Sequence, residues 1–347
     1  MGANCINAEL RQGSSRIAYI DVAKAIGIML MVLGHIHFDV YYFDRMVYAF
    51  HMPLFFIVSG ILYRRPESIL GYIGKKAKTL MIPYAIFCAI YFVIAIVKDG
   101  ASGIIEYLKS IFVYPTYNLP IESALWFLPA LLISASVYLI IDIKITNFMW
   151  KTVIVCGLTA AGCCWNMVGL PMSPLAISSA LSALLFIHFG RCINEIKWLD
   201  ISLNTVSTIV IIVLGCIAGC LVFVNEPLNM RTGSWGVAPL TYTIAIILSA
   251  FVIVVSKWMS SGRKAQSLIV QGLSFVGRNS IAFLCVNHLP IMVIRKMFLV
   301  IGIESETPLG WGIMFIVAMI TGVLLALLIE YTNVGILFGK KRIEKSK

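Results

Sequence analysis

The chain has 347 residues, of which 60% are apolar and only 12% are charged, whereas soluble globular domains carry about twice that share of charge. This composition excludes an ordinary soluble enzyme, and the net charge of +11 then reflects membrane topology instead of nucleic-acid binding. Apolar runs recur along the sequence, each long enough to cross a ~30 Å hydrocarbon core as a helix.

These runs predict an all-α polytopic membrane helix bundle of about ten transmembrane spans. The predicted spans lie near residues 17–37, 47–63, 80–98, 123–141, 151–169, 175–193, 203–224, 237–257, 279–300 and 311–331. With the N-terminus inside, lysine and arginine concentrate in the inner segments, which satisfies the positive-inside rule and predicts cytoplasmic termini. We therefore expect a cytoplasmic N-terminal segment (1–16), a single membrane domain (17–331) and a basic cytoplasmic tail (332–347).

The protein is predicted to be a multi-pass protein of the inner (cytoplasmic) membrane. No cleavable signal is expected, because residues 1–15 are polar and the first apolar run lacks a small-residue cleavage site. Eight of the nine cysteines fall in or at the ends of predicted spans, and no CxxC occurs. This pattern predicts free thiols and no metal cluster.

The first predicted span carries two ionisable residues, Lys24 and His35. Their separation of eleven residues is three helical turns, so they share one face with a rise of ~16 Å, and Asp21 lies on the same face. An ionisable group inside a span costs roughly 2–3 kcal/mol and tends to be functional. The alternative is an Asp/Lys pair at the interface with a satisfied histidine. Asp39, one turn after His35, is a candidate to orient its ring.

The second span begins with a histidine and a proline, His51 and Pro53. This spacing predicts a broken first turn that frees backbone groups for a ligand, although an ordinary kink explains Pro53 equally well. His51 lies near the predicted depth of His35, so the two rings could meet.

A cluster of cations follows the second span: Arg64, Arg65, Lys75, Lys76 and Lys78. If residues 68–79 form an interfacial helix, Lys75 and Lys78 are i, i+3 neighbours that can grip one phosphate group between them. Positive-inside anchoring explains the same cluster without a ligand, and both interpretations stay open.

Two later spans contribute further candidates. Trp126 stands at the outer end of the fourth span, where an aromatic belt is its plainest explanation. Asn279 or Ser280 is a suitable N-cap for the ninth span. His288 lies in the middle of that span, with a satisfied core histidine as its alternative. Arg295 and Lys296 are expected to be interface anchors.

In this order, these segments resemble the acyltransferase family 3 of integral-membrane O-acyltransferases, specifically its fucose-4-O-acetylase-like branch. The resemblance covers essentially the whole chain. It is most specific at Asp21, Lys24, Gly34-His35, the segment 50–56 (Phe-His-Met-Pro-Leu-Phe-Phe) and Ser59-Gly60. Where many members carry arginine in the first span, this chain has Lys24, which keeps the charge and loses the bidentate fork.

The resemblance implies transfer of an acyl group, usually acetyl from acetyl-CoA, to a hydroxyl of a surface glycan or its lipid-linked precursor. His35 would act as general base on that hydroxyl, by direct transfer or through an acyl-histidine. His51 and Asp21 are the other catalytic candidates. The implied contacts to the CoA phosphates are Lys24, Arg64, Arg65, Lys75 and Lys78. The implied substrate or oxyanion contacts are Ser59, Trp126, Asn279, Ser280 and His288.

The predicted partners are an acyl-CoA donor, a sugar or glycan acceptor and membrane lipid, with no nucleic acid and no metal. A carrier or flippase for a polysaccharide or lipid-linked sugar is the alternative, because ten spans with intramembrane charges and no soluble domain also fit that class. Transporters commonly show paired repeats with broken helices in both halves, and the sequence shows no such pairing.

Overall fold

In this computed structural model the described residues are 2–36, 41–117, 119–168, 173–196 and 205–338. Asp39 and residues 339–347 of the predicted tail lie outside them. The α-helices in chain order are α1 (Gly2–Ile36), α2 (Tyr41–Ile61), α3 (Ile69–Asp99), α4 (Ile104–Phe112), α5 (Phe127–Lys144), α6 (Phe148–Met167), α7 (Ile177–Ser182), α8 (Leu184–Glu195), α9 (Thr205–Leu221), α10 (Ala238–Met259), α11 (Leu268–Arg278), α12 (Ser280–Val286), α13 (His288–Ile301) and α14 (Pro308–Tyr331). Over the described ranges the fold forms no strand beyond one isolated bridge, Asn229 to Ser234, which confirms the predicted all-α class.

Among the described residues, seven helical segments are long and apolar enough to cross a membrane: Ala18–Ile36, Ile69–Asp99, Ser123–Lys144, Phe148–Trp165, Ala238–Met259, Ser280–Ile301 and Pro308–Tyr331. A pair of helical segments bent by 47°, Pro174–Ser182 and Leu184–Glu195, adds an eighth when it is counted as one broken span. Helices α2 and α9 lie at the other two predicted spans. The count of ten and the cytoplasmic termini stay predictions.

Two predicted boundaries are wrong. Helix α2 begins at Tyr41, so Pro53 lies well inside a continuous helix and not in a broken first turn. Residues 69–79 are not a separate interfacial helix, because they continue into the third span as α3. Its 31 residues correspond to ~46 Å of helix, so α3 extends beyond the hydrocarbon layer at one end.

Side chains of N-cap residues accept hydrogen bonds from the first free amides of several helices. Ser68 accepts a hydrogen bond from the Gly71 amide at the start of α3, and Thr307 accepts one from the Gly310 amide at the start of α14. These caps satisfy amides that have no partner within the helix. Asn279 holds the N-cap position of α12 but makes no cap hydrogen bond there, and its side-chain amide turns elsewhere.

Helix α1 lies inside the bundle, packed against α2, α10, α11 and α14. Between Tyr19 and Ile36 most of its apolar residues are buried, among them Ile20, Val22, Ala23, Ala25, Ile28, Met31, Val32 and Ile36. Burial around most of the helix is typical of an interior position in a bundle. The packing therefore buries Asp21 and leaves Lys24 and His35 only partly exposed.

Small residues allow the helices to approach closely. A Cβ atom added at Gly60 of α2 would overlap the Ile187 carbonyl oxygen of α8, and one added at Gly190 of α8 would overlap the Ile57 carbonyl oxygen of α2. Gly277 meets the Asp21 carbonyl of α1 in the same way. Such glycine contacts are typical of membrane helix pairs.

We expect Gly190→Ala to lower the thermal unfolding midpoint, because the added methyl group forces α2 and α8 apart at a cost of about 1–3 kcal/mol. Gly157→Ala in α6 is the matched control, since a Cβ there meets nothing within 4 Å and alanine favours the helix. The midpoints would be measured on detergent-solubilised protein by size exclusion after heating. Equal midpoints for Gly190→Ala and the wild type would contradict the close contact.

Candidate active site

Two histidines meet where α1 ends and α13 begins. The imidazoles of His35 and His288 have ring centroids 3.9 Å apart and planes inclined by 36°. The break between α12 and α13 falls at Asn287, and the consecutive side chains of Asn287 and His288 turn towards the last turn of α1. We call His35 and His288 the histidine pair.

Asn287 sets the tautomer of His35. Its side-chain nitrogen donates to Glu122 Oε1 at 3.2 Å and to the Leu284 carbonyl at 2.9 Å. Both partners accept hydrogen bonds, so the amide oxygen is the atom that faces His35 Nδ1. His35 Nδ1 therefore carries the proton, and Nε2 is the nitrogen with a lone pair.

Glu122 is the buried acid beneath the pair, with no exposed surface. Its Oε2 accepts a hydrogen bond from the backbone amide of His288 at 2.9 Å. Its Oε1 accepts His288 Nδ1 and the Asn287 side chain. Three donors thus converge on one carboxylate, as the burial of a charge requires. His288 Nδ1 is the protonated nitrogen of that ring, and its Nε2 lies 3.4 Å from Ser123 Oγ.

Two cavities meet at the histidine pair. The larger one has a volume of about 730 Å³ and runs along α13, and its lining includes Ile121, Ile291, Arg295, Lys296, Leu299 and Ile303. The smaller one has a volume of about 140 Å³, and its lining includes Tyr48, His51, Ser123, Trp126, Asn229 and Arg231. His35 and His288 line both cavities. The structure thus brings together four predicted site residues: His35, His51, Trp126 and His288.

The loop between α9 and α10 contributes to the wall of the smaller cavity. The buried side chain of Asn225 accepts the Val237 amide at 3.0 Å and donates to Thr241 Oγ1 at 2.6 Å. Arg231 from this loop donates to the Tyr117 carbonyl at 2.9 Å. Burial lowers the pKa of the Arg231 guanidinium, but an arginine stays protonated in a protein. A positive charge therefore lines the cavity that holds His51.

His51 is buried and held within its own helix. Its Nδ1 donates to the Val47 carbonyl at 2.8 Å, and its ring meets Tyr48 edge to face with centroids 5.3 Å apart. His51 shares the smaller cavity with the histidine pair. The ring packed against His35 is that of His288, not that of His51.

Other predicted site residues lie towards the opposite end of the candidate span Ala18–Ile36, which we call the Lys24 end. Lys24 forms an ion pair with Asp21 at 2.6 Å, with 18% of its side chain exposed. The Asn279 amide donates to Glu330 Oε1 at 3.0 Å. Ser280 begins α12 next to it. Nine residues separate Asn279 from His288, a helical rise of ~13 Å, so Asn279 is not part of the histidine site.

The cations after α2 differ in their surroundings. Arg64, Arg65, Lys75 and Lys78 are exposed. Lys76 instead turns inwards, where it donates to Ser59 Oγ at 3.3 Å and lies 5.6 Å from the ring centroid of Tyr72. Ser59 is eight residues from His51, which is ~12 Å along α2. It therefore lies beside Lys76 and away from the histidine pair.

The cluster also meets the distance requirement for a metal ion. His35, Glu122 and His288 offer ligand atoms within 4.8 Å of one another. In this arrangement, however, both imidazole Nδ1 atoms and both Glu122 oxygens take part in hydrogen bonds. Hydrogen bonding therefore accounts for the cluster, and the absence of a metal stays a prediction.

Sequence reasoning did not identify Glu122, Asn287 or Arg231 as site residues. Two signals were present: an acidic residue immediately before a span, and an asparagine beside a mid-span histidine. Polar residues in or beside a span need partners, so both residues were open to inference. Glu122 and His288 are 166 positions apart, and their pairing could not be read from local pattern.

With this geometry established, the comparisons with known proteins define the class. The acyltransferase 3 family model, described as an acyltransferase domain, matches residues 17–331. The chain therefore belongs to this family, and it is a multi-pass membrane acyltransferase. Neither the comparison with curated proteins nor that with solved structures found a match.

We expect Glu122→Gln to destabilise the fold by about 1–3 kcal/mol, because the new amide group places a donor against the donors that the carboxylate now accepts. Thermal midpoints of the solubilised protein would show this. Glu106→Gln, an exposed change on α4, should leave the midpoint unchanged. Equal stability of the two variants would mean that the Glu122 network does not hold the site together.

Proposed function

We propose that this protein transfers an acetyl group from acetyl-CoA to a hydroxyl of a surface glycan or its lipid-linked precursor. It would do so in the inner membrane, as a member of the fucose-4-O-acetylase-like branch. One observation carries the proposal: in a membrane acyltransferase, Asn287 holds His35 through Nδ1 at the point where two cavities meet.

His35 acts as the general base. Its Nε2 takes the proton of the acceptor hydroxyl as that oxygen attacks the thioester carbonyl carbon. The new carbon–oxygen bond forms, the carbon–sulfur bond breaks, and the proton passes from His35 to the departing CoA sulfur. An acyl-histidine route would use the same ring as nucleophile, and a trapped acyl-histidine would distinguish it from direct transfer.

Glu122 and Asn287 are positioning residues. A carboxylate that accepts Nδ1–H holds an imidazole in one tautomer and one orientation. Glu122 does this for His288, and Asn287 links the same carboxylate to His35. The network thus fixes the tautomer and the plane of both rings. Trp126 and Arg231 supply donors near the developing oxyanion in the smaller cavity.

The donor approaches from the Lys24 end. Its phosphates meet the exposed cations Arg64, Arg65, Lys75 and Lys78, with Lys24 at the start of the route. The pantetheine arm then follows the polar face of α1 over the ~16 Å rise to His35. The inward-facing Lys76 extends this positive potential into the bundle, beside Ser59.

We expect His35→Ala to reduce transfer of labelled acetyl groups by at least a hundredfold, the usual contribution of a general base, while expression is unchanged. His188→Gln is the matched control. His188 lies in a separate cluster with Tyr138 and Thr152, and glutamine keeps a hydrogen-bonding side chain there. Acetyl transfer that survives His35→Ala would end the general-base proposal.

We also expect Lys24→Ala and Lys78→Ala to weaken acetyl-CoA binding more than they weaken acceptor binding, because each removes a charge from the phosphate path. Lys98→Ala on the same helix as Lys78 is the control, since Lys98 is exposed at the other end of α3. Equilibrium binding of labelled acetyl-CoA in nanodiscs measures the effect. Unchanged affinity in both variants would mean that these cations serve only positive-inside anchoring and do not bind the CoA phosphates.

A further inference from the structure

The larger cavity opens on the lipid-facing side of α13. Leu299 lines this cavity and is 79% exposed. Ile303, also in the lining, is 51% exposed. Since α13 is part of the candidate span Ser280–Ile301, its exposed apolar side chains face lipid acyl chains. The Leu299 side of the cavity therefore faces the bilayer, whereas Ile303 lies two residues beyond the end of that span.

Two cations, Arg295 and Lys296, and one acid, Glu304, line the same cavity. Arg295 donates to the Ile36 carbonyl at 2.7 Å, at the C-terminus of α1, and its Nε lies 3.3 Å from Glu306 Oε1. These contacts fix the guanidinium at the wall. Lys296 is the next residue in the lining and is exposed. Ionisable groups in a membrane span are costly and tend to be functional. The ammonium of Lys296 and the guanidinium of Arg295 are donors that suit an anionic group.

The spacing places these cations at a useful distance from the chemistry. Arg295 follows His288 by seven residues, ~10 Å along α13. If the phosphate of an amphiphile lies at Arg295 and Lys296, this distance leaves room for a sugar between the phosphate and the histidine pair. The hydrocarbon chain of the amphiphile leaves past Leu299 into the bilayer. A water-soluble sugar phosphate has no hydrocarbon chain to contact the apolar side chains at this opening.

We propose that the acceptor is a sugar carried on a lipid through a phosphate or diphosphate, and that it enters sideways from the bilayer through the larger cavity. This rests on the proposed function, because the sugar hydroxyl is the group that His35 deprotonates. The donor and the acceptor then approach from different directions: the acyl-CoA along α1 from the Lys24 end, and the lipid-linked sugar past α13.

The test uses a photoactivatable C15 prenyl phosphate and the full-length protein in phosphatidylcholine nanodiscs. We expect saturable labelling of residues 291–303. Unlabelled prenyl phosphate should compete with it, whereas the matching prenol, inorganic phosphate and phosphatidic acid should not compete at the same concentration. Lys296→Ala should raise the half-competing concentration of prenyl phosphate about tenfold, the loss of one charge-assisted contact. The control Lys109→Ala, an exposed cation of α4, should leave it unchanged.

Other outcomes overturn the inference. Equal competition by prenol would show only an apolar surface, competition by inorganic phosphate would show a free-anion site, and competition by phosphatidic acid would show a general lipid contact. Unchanged competition in Lys296→Ala would remove the cation from the site. The His35→Ala variant separates this inference from the proposed function, because it should still bind the probe while losing acetyl transfer. Probe binding by a wild-type protein that transfers no acetyl group would refute the proposed function and leave the lipid phosphate site standing.

Discussion

The buried carboxylate of Glu122 joins three parts of the chain at one point. Removing a carboxylate from water costs several kcal/mol unless hydrogen bonds compensate, and here three donors do so, two from His288 and one from Asn287. The same Asn287 amide group accepts a hydrogen bond from His35. Glu122 therefore orders the start of the Ser123–Lys144 span, the α12–α13 junction and the end of α1 together. The tautomers of both imidazoles follow from this one charge.

The interior position of α1 explains how one helix can serve two ends of a reaction. Most of its apolar residues between Tyr19 and Ile36 pack against neighbouring helices, so the polar side chains of this part contact protein. Lys24 forms an ion pair with Asp21 towards one end of the span, and His35 joins the Glu122 network at the other. Close glycine contacts hold the surrounding helices, including one between Gly277 of α11 and Asp21 of α1. The carrier alternative has one broken span in its favour, but family membership makes the protein an acyltransferase.

Much of the fold could be predicted because it depends on local pattern. Apolar runs long enough to cross the bilayer gave the helices, and the three-turn spacing of Lys24 and His35 set them on one face. The structure departs where local pattern is silent. Helix α2 begins before the polar residues Asp44 and Arg45, whose low hydropathy hid its first turns from a search for apolar runs. Asn279 stands at an N-cap position, but its side chain bonds to Glu330, which is 51 residues away.

The candidate site was predicted in part for the same reason. His35, His51, Trp126 and His288 come from four separate spans, and the family resemblance alone was enough to group them as site residues. Ser59, Asn279 and Ser280 lie at the Lys24 end, because each sits a full two turns or more along its helix from the histidines. Arg295, expected to be an interface anchor, instead donates to the last turn of α1. Such pairings depend on how helices cross, and no single stretch of sequence contains that information.

The most direct test is an electron cryo-microscopy structure with an acetyl-CoA analogue whose thioester sulfur is replaced by a methylene group, so that no acetyl transfer occurs. We expect the phosphates to lie at the cations of the Lys24 end. We expect the carbonyl of the analogue to lie at the histidine pair, close enough for an acceptor oxygen to bridge it and His35 Nε2 by hydrogen bonding at about 2.6–3.2 Å. A carbonyl held elsewhere, with the histidine pair empty, would contradict the proposed role of His35.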